Sequence, residues 1–258
     1  MIELIVIVES DADARIATHL AERVLLEKID WLETSLLPNL FRWSGLEENS
    51  DRSYWRDAIK IINNYKRSGL HMPRFLRRKK IESPLKSDEA RTMKILNLIQ
   101  ALQHQSNRQI KAVLFIRDLD HQPERKEGME HARLEYIEQQ PKLEIIIGVA
   151  NRMREAWVLN GFIASNPDED NILTDIKTQL NFDPCEEAHR LRERSFQEPD
   201  RIRNPKVVVE QLTRGDRDRE RQCWETTPLH ILRERGVYTG LTAYMDEIEQ
   251  RLVPIIID

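Results

Sequence analysis

Three runs of consecutive apolar residues, rich in Val and Ile, interrupt an otherwise mixed pattern of polar and apolar positions. They cover residues 4–8, 112–116 and 145–149. Such runs are typical of strands that are buried on both faces, as in a parallel sheet. We therefore predict three strands that belong to one sheet.

Apolar residues elsewhere recur every three or four positions, which predicts amphipathic helices. These helices are expected to start near Asp13, Ser87, Pro123, Asn204 and Leu241. Asn204 is followed by a proline, the combination typical of a helix N-cap and first helical residue. Strands that alternate with helices predict an α/β fold in which helices flank a central parallel sheet.

The three predicted strands leave a gap, because residues 30–90 contain no strong strand. We therefore expect a single domain over residues 1–258. Its core would cover about 1–28 and 108–165. A helical, basic insertion would occupy about 30–105, and a helical C-terminal region about 166–258.

Charge is close to balanced, with 40 Lys and Arg against 44 Asp and Glu, so nucleic-acid binding would need a local patch. Residues 66–91 hold nine basic and three acidic residues, whereas residues 164–200 hold four basic and ten acidic ones. A solvated face is the simplest interpretation of a charge run. The densest basic stretch also predicts contact with a nucleic-acid backbone or an acidic partner. Its cations are Arg74, Arg77, Arg78, Lys79 and Lys80.

The rest of the composition indicates a cytoplasmic protein. Two cysteines are too few for a disulfide framework or a thiolate zinc site. No apolar run approaches the ~20 residues of a membrane helix, and the N-terminus lacks the features of a signal peptide. We expect no membrane association.

Acidic residues follow each predicted strand: Glu9 the first, Asp118 and Asp120 the second, and Glu155 the third. The carboxyl ends of parallel strands meet at one edge of a sheet, where crowded carboxylates repel unless a cation is present. Alternate residues of an extended segment point the same way, so both aspartates can reach one cavity. Oxygen ligands without Cys or paired His suit Mg²⁺, Mn²⁺ or Ca²⁺. We predict a metal site formed by Glu9, Asp118 and Asp120.

Each acid also has a simpler structural role. Asp13 can cap the first helix together with Ser10. The Asp118-Leu119-Asp120 segment could be an ordinary exit from a strand, and Glu155 an exposed helix residue.

The pattern resembles the Toprim (topoisomerase–primase) catalytic domain, which has a Glu at the end of its first strand and D-x-D after a later one. Glu9 and Asp118-Leu119-Asp120 match these positions. Nucleases of the overcoming-lysogenisation-defect group are more similar still. Their E-x-x-x-D/E motif is matched by Glu9 and Asp13, and their further acid by Glu155. Ser10 stands where the family usually has Gly.

The resemblance covers about 1–28 and 108–165 and implies a metal-dependent nuclease of a bacterial anti-phage system. One or two Mg²⁺ or Mn²⁺ ions would activate water and neutralise the scissile phosphate. The implied catalytic residues are Glu9, Asp13, Asp118, Asp120 and Glu155. Candidates for a basic residue near the leaving group are Arg117, Arg152 and Arg154.

The implied partners are a DNA or RNA substrate and a separate ATPase or sensor subunit, since the chain has no phosphate-binding G-x-x-x-x-G-K-[S/T] motif. Homo-oligomerisation stays open. Two other functions also stay open: a catalytically inactive Toprim-fold subunit of a defence complex, and a D-x-D nucleotide-sugar transferase. A receiver domain is disfavoured because 109 residues separate Glu9 from Asp118.

Overall fold

The computed structural model describes residues 1–72, 87–106, 108–140, 142–192 and 200–257. Within them, one sheet of five parallel strands forms the centre of the molecule. The strands are β1 (Ile2–Val8), β2 (Phe41–Ser44), β3 (Ser53–Tyr54), β4 (Ile110–Asp118) and β5 (Glu144–Ala150). Their order is β2-β1-β4-β5, and β3 pairs with the last two residues of β1. The predicted α/β class and parallel sheet are confirmed.

Helices occupy most of the remaining described chain. The α-helices are α1 (Asp11–Lys28), α2 (Leu37–Leu40), α3 (Ala58–Arg67), α4 (Ser87–Gln105), α5 (Glu124–Ile137), α6 (Glu155–Asn160), α7 (Pro167–Leu180), α8 (Pro205–Thr213), α9 (Arg217–Glu225), α10 (Leu229–Arg235), α11 (Leu241–Glu247) and α12 (Val253–Ile257). Short 3-10 helices cover Ala188–Arg190 and Asp200–Arg203, and a π-helical turn covers Ile248–Leu252.

The apolar runs form strands because both faces of the sheet are covered. Leu4, Val6 and Val8 of β1 belong to one core cluster, whereas Ile5 and Ile7 belong to a second cluster on the opposite face. This alternation follows from the two-residue period of a strand. Helices α1 and α6–α11 contribute to the first cluster, and α3, α4 and α5 contribute to the second.

The prediction of a helical insertion over about 30–105 is wrong in part. Helices α2, α3 and α4 lie there, but β2 and β3 extend the sheet beside β1 from the same stretch. Both strands are short, and the burial of β2 varies along Phe41–Ser44, so neither has the continuous apolar run on which the prediction relied.

The C-terminal region is helical in its described part, as predicted, and Asn204 caps α8 by accepting a hydrogen bond from the Lys206 N–H. Its buried face packs against α6, α1 and the sheet: the Tyr244 ring stacks on Trp157, the Tyr244 hydroxyl donates to the carbonyl of Ala17 at 2.8 Å, and a Cβ on Gly148 of β5 would lie 2.6 Å from the ring. No helix in the described residues is long and apolar enough to cross a membrane.

Candidate functional site

Five acidic residues meet at the carboxyl edge of the sheet; we call them the carboxylate cluster. The strand register sets this edge, since Asp118 pairs with Ala150 at the ends of β4 and β5. The members of the cluster are Glu9, Asp13, Asp118, Asp120 and Glu155. The structure thus brings together all five acids that the sequence singled out.

Asp13 has two roles: it caps the start of α1, and its carboxylate is part of the cluster. Its backbone N–H donates to the Ser10 side chain at 3.3 Å, while its carboxylate accepts from the Ser10 N–H at 2.8 Å and the Ser10 hydroxyl at 2.9 Å. This is a capping box. Ser10 is extended, with φ −146°. The position therefore does not require glycine, and its hydroxyl fixes Asp13.

Asp118 lies at the electrostatic centre of the cluster. Burial is the main cause that raises its pKa to about 8, and the charges of Asp13, Glu155, Glu9 and Asp120 raise it further. Among the described residues, no hydrogen-bond donor reaches its carboxylate. A half-buried carboxyl group that lies among four acids, with no donor to it in the described residues, favours a proton or a metal cation.

The chain turns at Asp120 instead of continuing as a strand. Asp120 and His121 have φ values of 43° and 62°, and the Asp120 N–H donates to the carbonyl of Arg152 at 3.0 Å. The expectation that Asp118 and Asp120 point the same way from an extended segment is therefore wrong. Asp120 still acts on the cluster, because its charge raises the pKa of both Glu9 and Asp118.

Three arginines partly neutralise the cluster, and each also contacts an acid that the sequence pattern missed: Arg117 and Arg125 contact Asp88, and Arg154 contacts Glu220. Arg117 pairs with Glu9 and, at 3.4 Å, with Asp88. Its guanidinium lies over the Trp55 ring, 4.8 Å from the ring centroid. Burial raises the pKa of Glu9, and Arg117 opposes this increase.

Arg154 is the second of these cations. It contacts Glu155 at 3.2 Å, Asp13 at 3.6 Å and Glu220 of α9 at 2.7 Å. Burial raises the pKa of Asp13, and the hydrogen bonds from Ser10 and the charge of Arg154 oppose this increase. Glu220 is 65 residues from Glu155 in the chain, so no local spacing could have indicated it.

Arg125 of α5 is the third cation and was not predicted. It donates to the carbonyl of Asp118 at 2.7 Å and to the carboxylate of Asp120 at 2.6 Å. The same side chain thereby holds both aspartates of the D-x-D segment. The only feature of the sequence that could have indicated this role is its position, five residues after Asp120 and at the start of a helix.

The donor atoms of the cluster suit a hard divalent cation, since all are carboxylate oxygens. In the described conformation the arginines occupy several of these oxygens. No group of three or more His, Cys, Asp or Glu side chains among the described residues is arranged to hold a metal ion. The chemistry of the donors therefore fits Mg²⁺ or Mn²⁺, with Asp118 as the carboxylate left without a partner.

Two further groups of predicted residues gain no support from the described contacts. Arg152 makes no ion pair with any described residue, so its assignment beside the leaving group gains no support from contacts. The five cations Arg74, Arg77, Arg78, Lys79 and Lys80 lie outside the described residues. Comparison with known proteins adds no family: no protein-family model, no curated protein and no solved structure matches this chain.

Proposed function

We propose that this protein is a Toprim-like, metal-dependent nuclease that hydrolyses phosphodiester bonds. One observation carries the proposal: Glu9, Asp13, Asp120 and Glu155 lie around Asp118 at the carboxyl edge of the sheet, and burial together with their charges raises the pKa of Asp118 to about 8. The parallel sheet with helices on both faces is compatible with a Toprim-like domain.

Glu9, Asp118 and Asp120 would hold Mg²⁺ or Mn²⁺, with Asp13 and Glu155 completing the negative environment. When bound, the metal supplies a polarised water and neutralises charge on the phosphate. The chain's own arginines have separate roles. Arg117, whose guanidinium lies over the Trp55 ring, would bind a phosphate oxygen of the substrate. Arg125 is a positioning residue, because it fixes the turn that carries both aspartates.

The wider role follows from the resemblance alone. We propose that the nuclease is the effector of an anti-phage system and that a separate ATPase or sensor subunit controls it. An active nuclease would cut the nucleic acid of its own cell, so we expect its activity to be inhibited until it is needed. The acidic segment 164–200, or an acidic partner, would inhibit the nuclease by covering the basic stretch that contains Arg77 and Arg78 and so blocking the substrate.

The test of catalysis is cleavage of DNA and RNA by the full chain with Mg²⁺, Mn²⁺ or EDTA. Asp118→Asn combined with Asp120→Asn should reduce cleavage to background. Asp175→Asn, an exposed acid on α7, is the matched control and should cleave like the wild type. Equal cleavage by the double variant and this control would contradict the assignment of the site.

Metal binding has a readout that does not depend on activity. Mg²⁺ should raise the melting temperature of the wild type, because a ligand bound only by the folded state stabilises it. The increase should be smaller in Asp118→Asn and unchanged in Asp175→Asn. Equal increases in all three proteins would place the bound metal elsewhere.

A second function, a catalytically inactive binding subunit, is favoured by one observation. The arginines already pair with Glu9, Asp120 and Glu155, and no metal-ready group exists among the described residues. This alternative predicts nucleic-acid binding without cleavage in any divalent metal, and no change in melting temperature with Mg²⁺.

A further inference from the structure

Beside the carboxylate cluster, at the exit of β5, lies a second group of side chains that the proposed catalysis does not use. We call Arg152, His189, Arg192 and Tyr238 the exit patch. It adjoins the cluster, because the Arg152 carbonyl accepts the N–H of Asp120 at 3.0 Å. The charges of Glu187, Arg190 and Arg152 act on His189, and that of Arg192 acts on Arg152.

Two side-chain nitrogens of the exit patch have no hydrogen-bond partner among the described residues. A guanidinium nitrogen of Arg152, Nη1, and the ring nitrogen of His189, Nδ1, are buried without a hydrogen bond in the described structure. Arg192 is exposed, and no described acid pairs with it. Arg152 also has φ 76°, a left-handed conformation that is uncommon for arginine. Two arginines that repel each other and have no acidic partner among the described residues favour the binding of an anion.

An exposed aromatic ring completes the patch. Tyr238 is 67% exposed, and one side of its ring contacts His189 with 4.8 Å between ring centroids. Exposure of this size leaves most of the ring available to a ligand. An exposed phenol ring packed on His189, with the charge of Arg152 acting on the same imidazole, matches a nucleotide, which presents a flat base next to a phosphate.

The backbone that carries Tyr238 is fixed. The Asn151 side chain donates to the Tyr238 carbonyl at 2.8 Å, while the Asn151 N–H and the Trp157 indole donate to the Thr239 carbonyl at 2.8 and 2.9 Å. The next residue, Gly240, has φ 83°, and a Cβ there would lie 2.1 Å from the carbonyl of Val149. The ring is therefore exposed on a fixed backbone, so little conformational entropy would be lost when a ligand binds to it.

We propose that the exit patch binds a phosphate and stacks an unpaired base of single-stranded nucleic acid, next to the phosphate presented to the carboxylate cluster. This inference rests on the proposed nuclease function and specifies its substrate as single-stranded. A duplex hides the faces of its bases inside the stack, so Tyr238 can stack only on a strand whose bases are unpaired.

Binding is measured by fluorescence anisotropy in EDTA, so that cleavage does not enter. The probes are a labelled single-stranded DNA, an RNA of the same sequence and the DNA duplex. Tyr238→Ala should weaken single-strand binding by about 5- to 100-fold. Tyr238→Phe should bind like the wild type, and so should Val237→Ala, a substitution at the neighbouring exposed residue. Arg192→Ala should reduce the salt slope by about 0.7.

Duplex binding should change less than single-strand binding in Tyr238→Ala, and the DNA and RNA arms identify which strand the patch prefers. Single-strand affinity in Tyr238→Ala equal to that of Val237→Ala would overturn the inference, and so would an equal loss on duplex and single strand. These results leave metal-dependent cleavage untouched. Conversely, Tyr238→Ala could lose single-strand affinity while the wild type shows no cleavage in Mg²⁺ or Mn²⁺. That result would reject the nuclease function and support the exit patch as a binding site.

Discussion

At the scale of single residues, Asp118 carries the most strongly perturbed charge in the carboxylate cluster. Its pKa of about 8 means that the folded chain keeps a proton that the unfolded chain releases near pH 4. Between these two values, folding without metal becomes less favourable as the pH rises. The stability that protonation provides is therefore fully present below about pH 4 and lost by about pH 8.

Asp118→Asn should remove this dependence, because an amide keeps the shape of the side chain and has no charge to bury. In EDTA, the variant should match the wild type below about pH 4 and exceed it at pH 8, by on the order of 1–3 kcal/mol. Thermal unfolding at a series of pH values measures the difference, about 2–4 °C per kcal/mol for a chain of this size. Asp175→Asn is the control, and parallel profiles of all three proteins would contradict the assigned pKa.

At the residue scale, the sequence predicts a member of the candidate site only where an acidic residue directly follows an apolar strand. Glu9 and Asp118 could be named because each follows an apolar run and the register of parallel strands brings them to one edge. Asp88 and Glu220 reach the site through arginines and come from distant helices. Such contacts depend on packing between elements, and no local spacing encodes them.

At the scale of elements, the turn after β4 determines where the D-x-D carboxylates lie. Left-handed backbone at Asp120 and His121 reverses the chain, and α5 returns Arg125 to the Asp118 carbonyl and the Asp120 carboxylate. An extended segment was the natural expectation from β4, since the apolar run gives no sign of where the strand stops.

Arg125→Ala should loosen this turn. Loss of its hydrogen bonds to a carboxylate and a carbonyl should cost about 1–3 kcal/mol of unfolding free energy, because at least one of them involves a charged pair. Cleavage should fall as the two aspartates lose their fixed separation. Lys126→Ala is the matched control: Lys126 follows on the same helix and pairs at 3.6 Å with exposed Glu130. Its expected cost is at most about 1 kcal/mol. Urea denaturation and the nuclease assay check both variants, and equal costs would leave Arg125 without a positioning role.

The same scale explains which strands could be predicted. β1, β4 and β5 are continuous apolar runs because helices cover both faces of the sheet, and a sequence pattern records that burial directly. β2 and β3 have four and two residues and lie beside β1 at one side of the sheet. A strand this short forms because its neighbour offers backbone groups to pair with, which is a property of the fold and not of the segment.

At the scale of the whole molecule, the C-terminal region is part of the framework that supports the site. It supplies Glu220 to Arg154, and the turn at Tyr238 and Thr239 to the end of β5. Helix α11 contacts the same strand, where a Cβ on Gly148 would lie 2.6 Å from the Tyr244 ring. The resemblance to a Toprim core covers only about 1–28 and 108–165, yet that core would expose one face of its sheet without the residues that follow.

Tyr244 tests this dependence. It is fully buried, stacks on Trp157 with 5.3 Å between ring centroids, and donates its hydroxyl to the carbonyl of Ala17 in α1. Tyr244→Ala should therefore cost about 3–5 kcal/mol of unfolding free energy, because it leaves a cavity between the C-terminal helices and the sheet. Tyr244→Phe keeps the ring and loses one hydrogen bond, which should cost about 0.5–1.5 kcal/mol.

Tyr238→Ala, at an exposed tyrosine of the same region, is the control and should stay within about 0.5 kcal/mol of the wild type. Urea denaturation followed by circular dichroism gives all three values. A cost below about 1 kcal/mol for Tyr244→Ala would mean that the sheet and α1 fold without support from the C-terminal helices, and the carboxylate cluster would then have to keep its geometry without Glu220.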